Sequence, residues 1–255
     1  MSKILYAGDS SLTGAAAYLA GVMAHHGLPF DYVTSGGPLG PRLARGDYGL
    51  YIFSDYPAAS VRPRESRAIL EAVRAGAGLL MIGGWASYHG LGGNWDRSPL
   101  AEALPVVISD SDDRVNSSDP VVLQKMLDHP IVCGLPFGSP PCVGGYNRFT
   151  AKRGAEVVLL GRHLLVKAGC GSSGRPGALT ARAGRSSPLL VVGSFGRGRT
   201  AAFASDVAPH WVGPLVDWGA KRVTARAKGG HQVEVGDLYA EFFAKLLRWT
   251  AGDLS

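Results

Sequence analysis

The sequence predicts an α/β protein built on a mostly parallel, doubly wound sheet. Short apolar runs at residues 3–7, 48–53 and 78–82 alternate with amphipathic helical patterns. The runs are apolar throughout rather than at every second residue, so both faces of each strand must be covered, as in a parallel sheet. Each run also stops at a small-residue turn: Gly8-Asp9-Ser10, Ser54-Asp55 or Gly83-Gly84. Right-handed crossovers between such strands place helices on both faces of the sheet.

The elements follow in order. Residues 3–7 form the first strand. Leu12, Ala16, Leu19 and Met23 then share a helix face, with Ser10 or Ser11 as cap and Gly27 as stop. Residues 30–33 are a short strand and residues 48–53 a buried one. Pro63 starts a helix over residues 64–75, with Ile69, Leu70 and Val73 inward and Gly76 ending it. GLLMI at 78–82 is another buried strand. Beyond it the pattern is less regular. Residues 104–108, 156–160 and 164–166 read as short strands, 109–119 as a polar surface loop, and 129–137 as an extended, turning segment. Residues 168–187, rich in Gly, Ser and Arg, read as a mobile loop. A C-terminal β-hairpin pairs 189–194 with 199–204 around Gly196-Arg197-Gly198. A last helix over 238–249 presents Leu238, Phe242, Leu246 and Trp249 on one face. No repeat and no linker interrupts the 255 residues, and a single domain over 1–255 is expected.

Composition narrows the function classes. A hydrophobic fraction of 46% supports a sizeable core. The net charge of +6 is spread through loops, notably at Lys221, Arg222, Arg226 and Lys228. It forms no basic stripe with stacking aromatics, so no nucleic acid is expected as partner. Cys133, Cys142 and Cys170 make no C-x-x-C pair, which argues against a zinc knuckle. The N-terminus lacks a long apolar leader, and no stretch reaches the ~20 apolar residues of a membrane span. A cytoplasmic protein with reduced thiols and no membrane partner is the expectation.

Ligands of open α/β sheets sit beyond the carboxyl ends of the strands. The polar strand ends therefore nominate a site of Asp9, Ser10, Asp55, Gly84, Trp85, His89, Asp206 and His210. Any one of these aspartates is an ordinary cap or turn former. Several on one rim need a reason, because clustered carboxylates repel. In Gly83-Gly84-Trp85-Ala86-Ser87-Tyr88-His89-Gly90, glycines allow close backbone approach and Trp85 and Tyr88 offer flat surfaces with polar tips. Asp206 and His210 are spaced for an Asp–His bond across a tight turn, which makes them, with His89, the candidates for acid–base work. The same pair equally suits a structural bond that pins the loop. Gly196-Arg197-Gly198 lies in a hairpin, not between strand and helix, so no dinucleotide cofactor is expected.

Several segments in order, GDSS, YIFSDYP, LLMIGGWASYHG, LPV, HPIVCGLPF, GGYNRF and GRGRTAAFASDVAPHW, resemble the putative glutamine amidotransferases of the class I amidotransferase-like superfamily. They are more loosely similar to ThuA-like proteins and to the trimerisation domain of some β-galactosidases. The resemblance implies a flavodoxin-like sheet. It also implies, for active members, a nucleophilic Cys on an elbow after a central strand, completed by a later His and Glu. Here the elbow reads Gly83-Gly84-Trp85-Ala86 with no Cys, and Ser87 is not at the matching spacing. His210 matches the His, while Val212 stands where a Glu partner is common. A thiolate is what attacks the amide, so glutaminase activity is not expected. Three readings follow: a small polar ligand bound at the sheet edge; an oligomerisation module, for which Trp95, Trp211, Trp218 and Trp249 supply aromatic surface; and a hydrolase using serine or a metal held by Asp55, Asp206 and His210, with or without Asp9. Relatives with this fold often assemble, so a homo-oligomer is expected.

Overall fold

The computed structural model describes residues 3–44, 46–169 and 178–254. Its centre is a nine-stranded sheet. Strands β1 (Ile4–Gly8), β2 (Phe30–Val33), β3 (Leu50–Ser54) and β4 (Gly78–Ile82) come from the first part of the chain. A two-stranded pair of β5 (Val106–Ile108) and β8 (Phe149–Ala151) lies outside the main sheet. The later strands of the main sheet are β6 (Arg114–Lys125), β7 (Cys142–Asn147), β9 (Glu156–Ala168), β10 (Leu179–Phe195) and β11 (Gly198–Phe203). The order across the sheet is β2-β1-β3-β4-β11-β10-β9-β6-β7. The pairings from β2 to β11 are parallel, and those from β11 to β7 are antiparallel.

The parallel half follows the sequence pattern closely. Every residue of β1, β3 and β4 is buried. Helices α1 (Ala16–His25), α3 (Pro63–Arg74) and α5 (Asp237–Thr250) pack against this core, while α2 (Gly40–Leu43) and α4 (Pro209–Val212) are single turns. Pro63 opens α3 at the position where its missing N–H costs nothing, and the Glu65 carboxylate accepts the Arg62 N–H at 2.8 Å. In α5, Phe242 and Phe243 both pack edge-to-face with Phe203 of β11, with ring centroids 5.6 Å apart in each case. The expected hairpin is present: Phe195 pairs with Gly198 across Gly196-Arg197.

Several expectations are corrected. Neither Ser10 nor Ser11 caps α1; the helix starts later, after Ala15, with no side-chain cap. The sheet is mixed, not mostly parallel, because four antiparallel strands extend it. Much of the polar segment 109–119 belongs to β6, whose polar residues face out while Val115, Val121 and Leu123 face in. The two short strands at 156–166 are one, β9. Strand β10 begins at Leu179 inside the segment read as a mobile loop; residues 170–177 of that segment, with Cys170, lie outside the described residues. The basic loop at 220–230 is in large part β12 (Arg222–Arg226), paired antiparallel with β13 (Gln232–Gly236). There Arg222 is engaged by Asp217 at 2.6 Å and by Glu234 at 3.3 Å. The indoles of Trp95, Trp211 and Trp218 are buried, so they fill the interior and offer no surface for assembly. Cys133 and Cys142 are free thiols. No helix among the described residues is long and apolar enough to cross a membrane.

Because α5 closes the sheet through a cluster of phenylalanines, truncating its centre should be costly. Phe242→Ala should lose about 3–5 kcal/mol of unfolding free energy, read as a lower midpoint in urea with an unchanged slope.

Candidate functional site at the carboxyl edge of the sheet

The parallel strands deliver their polar ends to one edge. Asp9 follows β1, Asp55 follows β3, Gly83 and Gly84 follow β4, and Asp206 lies three residues beyond β11. Asp9, Ser10 and Asp55 all have left-handed backbones, with φ of 51°, 45° and 49°. Asp tolerates this conformation better than most residues. The turns are tied together from strand to strand. Asp9 N–H donates to the Ser54 carbonyl at 2.9 Å, Asp55 N–H donates to Ser87 Oγ at 2.9 Å, and the Ser35 hydroxyl donates to the Asp55 carbonyl.

Asp9 and Asp206 are both taken out of water, at 1% and 0% exposure. One oxygen of each is engaged. Asp9 Oδ2 accepts the Tyr6 hydroxyl, and Asp206 Oδ1 accepts Val207 N–H at 2.6 Å. Asp9 Oδ1 and Ser54 Oγ are both buried, and the Ser54 hydroxyl acts on the Asp9 carboxyl, opposing the effect of burial. Asp206 Oδ2 lies 2.9 Å from His210 Nε2, an ion-pair contact more than a directed hydrogen bond. Burial lifts the Asp9 carboxyl well above the usual carboxylate range, and the charge of Asp206 lifts it further. Burial also raises Asp55, against the Ala86 N–H that its carboxylate accepts, and Asp206 adds to the rise. The short contact with Asp206 holds His210 above the ordinary imidazole value. The three carboxylates thus feel one another, and His210 faces two of them. Tyr239 closes the group from α5 by donating its hydroxyl to the Val207 carbonyl at 2.7 Å.

The loop 83–90 wraps the other side of Asp55. A Cβ on Gly83 would overlap the Ala204 carbonyl, and one on Gly84 (φ 154°) would come within 2.8 Å of Asp55 Oδ1. Gly84 N–H donates to Asn147 Oδ1 at 2.9 Å, and Asn147 Nδ2 donates to Asp113 at 2.7 Å. Asp113 also accepts the N–H groups of His89 (2.9 Å) and Gly90 (3.1 Å). Burial raises the Asp113 carboxyl, and these three donors oppose the rise. Trp85 is half exposed, with the Arg114 guanidinium 4.5 Å above its ring.

The structure brings Asp9, Asp55, Gly84, Asp206 and His210 together. Ser10 is at the rim, with only its backbone tied into the turn, to Ser35 and Thr34. His89 has its own partner, Asp96, 2.9 Å from Nδ1. Ser87 is buried and its oxygen is occupied by the Asp55 N–H. Among the described residues no three His, Cys, Asp or Glu side chains are grouped to share a metal ion. Sequence reasoning missed Tyr6, Tyr239, Asn147 and Asp113. A tyrosine inside the apolar run ILYAG was a usable signal, since a buried hydroxyl needs a partner. The larger grooves lie elsewhere: one of 640 Å³ beside Phe137 and Leu164, and one of 560 Å³ beside Arg148 and Ser187.

A mixed α/β sheet with an elbow after β4 and an Asp–His pair after β11 defines an amidotransferase-like protein. Residues 51–224 match the model of the family described as "Putative glutamine amidotransferase", and the chain belongs to that family. Two solved structures of cytoplasmic proteins from Salmonella typhimurium are similar over nearly the whole chain. One is 24% identical with a TM-score of 0.72, covering 98% of this chain and 99% of its own. The other is 24% identical with a TM-score of 0.70, covering 97% and 99%. A ThuA-like protein from Bacteroides uniformis is 12% identical with a TM-score of 0.53, covering 98% and 91%. These likenesses speak for the fold. No curated protein matches the sequence significantly.

The Asp9 carboxyl keeps its proton to higher pH in the folded chain than in the unfolded one. Its contribution therefore favours folding below the unfolded value of 3.8 and is lost as pH rises through the folded value. Asp9→Asn keeps an acceptor for Tyr6 and removes the need to take up a proton on folding. It should raise stability near neutral pH by about 1–3 kcal/mol, with the gain shrinking toward acid, measured by urea denaturation across pH.

Proposed function

We propose that this protein is an amidotransferase-like binding protein without glutaminase activity, which holds a small polar ligand at the carboxyl edge of the sheet through Asp9, Asp55, Asp206 and His210. The observation that carries the reading is the convergence of three carboxylates, Asp9, Asp55 and Asp206, on one edge beside the half-exposed His210. Clustered carboxylates repel and need something to offset the repulsion. A ligand rich in hydrogen-bond donors would do so. The strand order β2-β1-β3-β4-β11 supports a doubly wound, flavodoxin-like arrangement for this half of the sheet, which puts the ligand where such folds bind one.

Two features speak against amide hydrolysis by this family's cysteine chemistry. Gly83 and Gly84 stand at the elbow, and neither has room for a side chain. Cys133 and Cys142 lie in a turn and in β7, away from it. The metal-dependent alternative is not carried forward, since no grouping of ligands supports it among the described residues. The expected homo-oligomer no longer has Trp95, Trp211 and Trp218 in its favour, while Trp249 is partly exposed; Trp85, Leu91, Val107, Met126, Val166 and Leu179 are the exposed large apolar side chains among the described residues.

A thermal-shift panel of amino acids, sugars, polyamines and nucleotides tests the reading. A compound at ~100 times its Kd should stabilise the chain by ~2.7 kcal/mol. Asp206→Asn and His210→Ala should each abolish the response while ammonia release from glutamine stays at background. A flat panel, or a shift that survives both substitutions, would remove these residues from any binding site.

A further inference from the structure

The 560 Å³ groove lies between the β5–β8 pair and β10, and its size suits a small molecule. Ile108, Phe149 and Pro188 give it apolar walls, and Arg148 brings a guanidinium. Ser187 opens into it from the irregular part of β10. The register of β10 against β9 shifts between Ala183 and Ser186, and again between Pro188 and Leu190. Such bulges re-aim side chains and collect next to sites of chemistry.

Behind Ser187 runs a chain of hydrogen bonds into the protein. Ser187 Oγ lies 3.2 Å from the Tyr146 hydroxyl, which lies 2.9 Å from His163 Nε2. His163 Nδ1 lies 3.4 Å from Ser117 Oγ, and Ser117 donates its own proton to the Asp119 carbonyl at 2.8 Å. That last bond sets the direction of all the others. Ser117 has no second proton, so it accepts from His163, whose Nδ1 must carry the hydrogen. In the neutral ring Nε2 is then an acceptor, and Tyr146 donates to it. The tyrosine oxygen is left to accept from Ser187. Every proton in the chain thus points away from the groove. This is the polarity needed to strip a proton from Ser187 and leave its oxygen lone pairs facing a substrate. Burial and the charge of Arg185 hold His163 below the ordinary imidazole value, against a smaller opposing effect from Asp119, which keeps the ring neutral and able to accept.

We propose that Ser187 is the nucleophile of a second site, acylated by small esters bound in this groove. Ser187 Oγ bonds to the ester carbonyl carbon while its proton passes to Tyr146 and the tyrosine proton passes to His163 Nε2. The ester C–O bond breaks, and the leaving alkoxide takes the proton back along the same chain. Water then attacks the acyl–Ser187 ester, giving a carboxylic acid and the free serine. The net change is ester plus water to acid plus alcohol. Arg148 favours esters that carry a negative charge.

The test treats the full chain with a fluorophosphonate probe and maps the adduct by mass spectrometry. The adduct is expected on Ser187 and absent in Ser187→Ala. Tyr146→Phe and His163→Gln should each slow labelling about a hundred-fold, the lower end of what a positioned proton acceptor contributes. The wild-type rate should hold at the ordinary imidazole value of 6.5 and fall only at lower pH, a fall that His163→Gln abolishes. Ser139→Ala, at an exposed bend that does not line the groove, should leave labelling unchanged. Mono-4-nitrophenyl succinate should be hydrolysed faster than 4-nitrophenyl acetate, and Arg148→Met should erase that preference. An unlabelled Ser187 in the wild-type chain overturns the proposal, whatever the variants do. So does labelling that is equally fast in Tyr146→Phe and His163→Gln.

Discussion

The edge of the sheet is organised around the burial of two carboxylates, Asp9 and Asp206. Taking a carboxylate out of water is expensive unless it is neutralised or fully partnered. The protein does some of each. Tyr6 and the Val207 N–H satisfy one oxygen of each acid, and His210 faces the second oxygen of Asp206. Asp9 is left to hold a proton, pushed there by burial and by its neighbour's charge. Left-handed backbones at Asp9, Ser10 and Asp55 add strain of roughly 1–3 kcal/mol each where the chain leaves the strands. Strain and uncompensated burial at one place, against a well-packed core elsewhere, mark positions kept for something other than stability.

The two halves of the sheet divide the work. The parallel half aims the strand ends at a common edge. The antiparallel half braces what those ends present. Asn147, the last residue of β7, reaches the backbone of Gly84, and Asp113, just before β6, holds Asn147 and the N–H groups of His89 and Gly90. The loop after β4 is therefore fixed by residues from the far side of the sheet. Asp113 also lines the groove beside Ser187. One buried carboxyl thus touches both regions where chemistry is assigned.

The parallel half was legible because a short, continuously apolar run between turn residues fits little except a strand covered on both faces. Residues 30–33 and 78–82 were placed to the residue, and the aspartates at the strand ends followed from them. The antiparallel half was not legible in this way. Strand β6 carries Ser, Asn and Asp on its outer face, and the exposed part of β10 carries Arg182, Gly184, Arg185 and two serines, so local composition read as loop while pairing of β6 with β7 and of β10 with β9 made strand. Tertiary pairing overrides weak β-propensity in this way. The Asp206–His210 contact was visible from spacing. The Asn147–Asp113 brace was not, because its partners are separated by 34 residues and meet only once β6 and β7 pair. The tryptophans misled for a related reason: Trp95 and Trp211 satisfy their indole N–H groups inside, on the Tyr56 carbonyl and on Asn116.

The elbow after β4 carries no cysteine, and the proposed absence of glutaminase activity rests on its geometry. An active elbow needs space for a nucleophile's side chain above the turn. Here Ala204 stands against Gly83 and the Asp55 carboxylate stands against Gly84, so a Cβ at either position would collide. Restoring a cysteine at Gly83 or Gly84 would thus not restore a site, because at Gly84 the new side chain would meet the Asp55 carboxylate. That carboxylate accepts the Ala86 N–H and joins the electrostatic group of Asp206 and His210. The edge presents carboxylates and an imidazole where active members have a thiol, which is the ground for proposing that it binds a donor-rich molecule without attacking it.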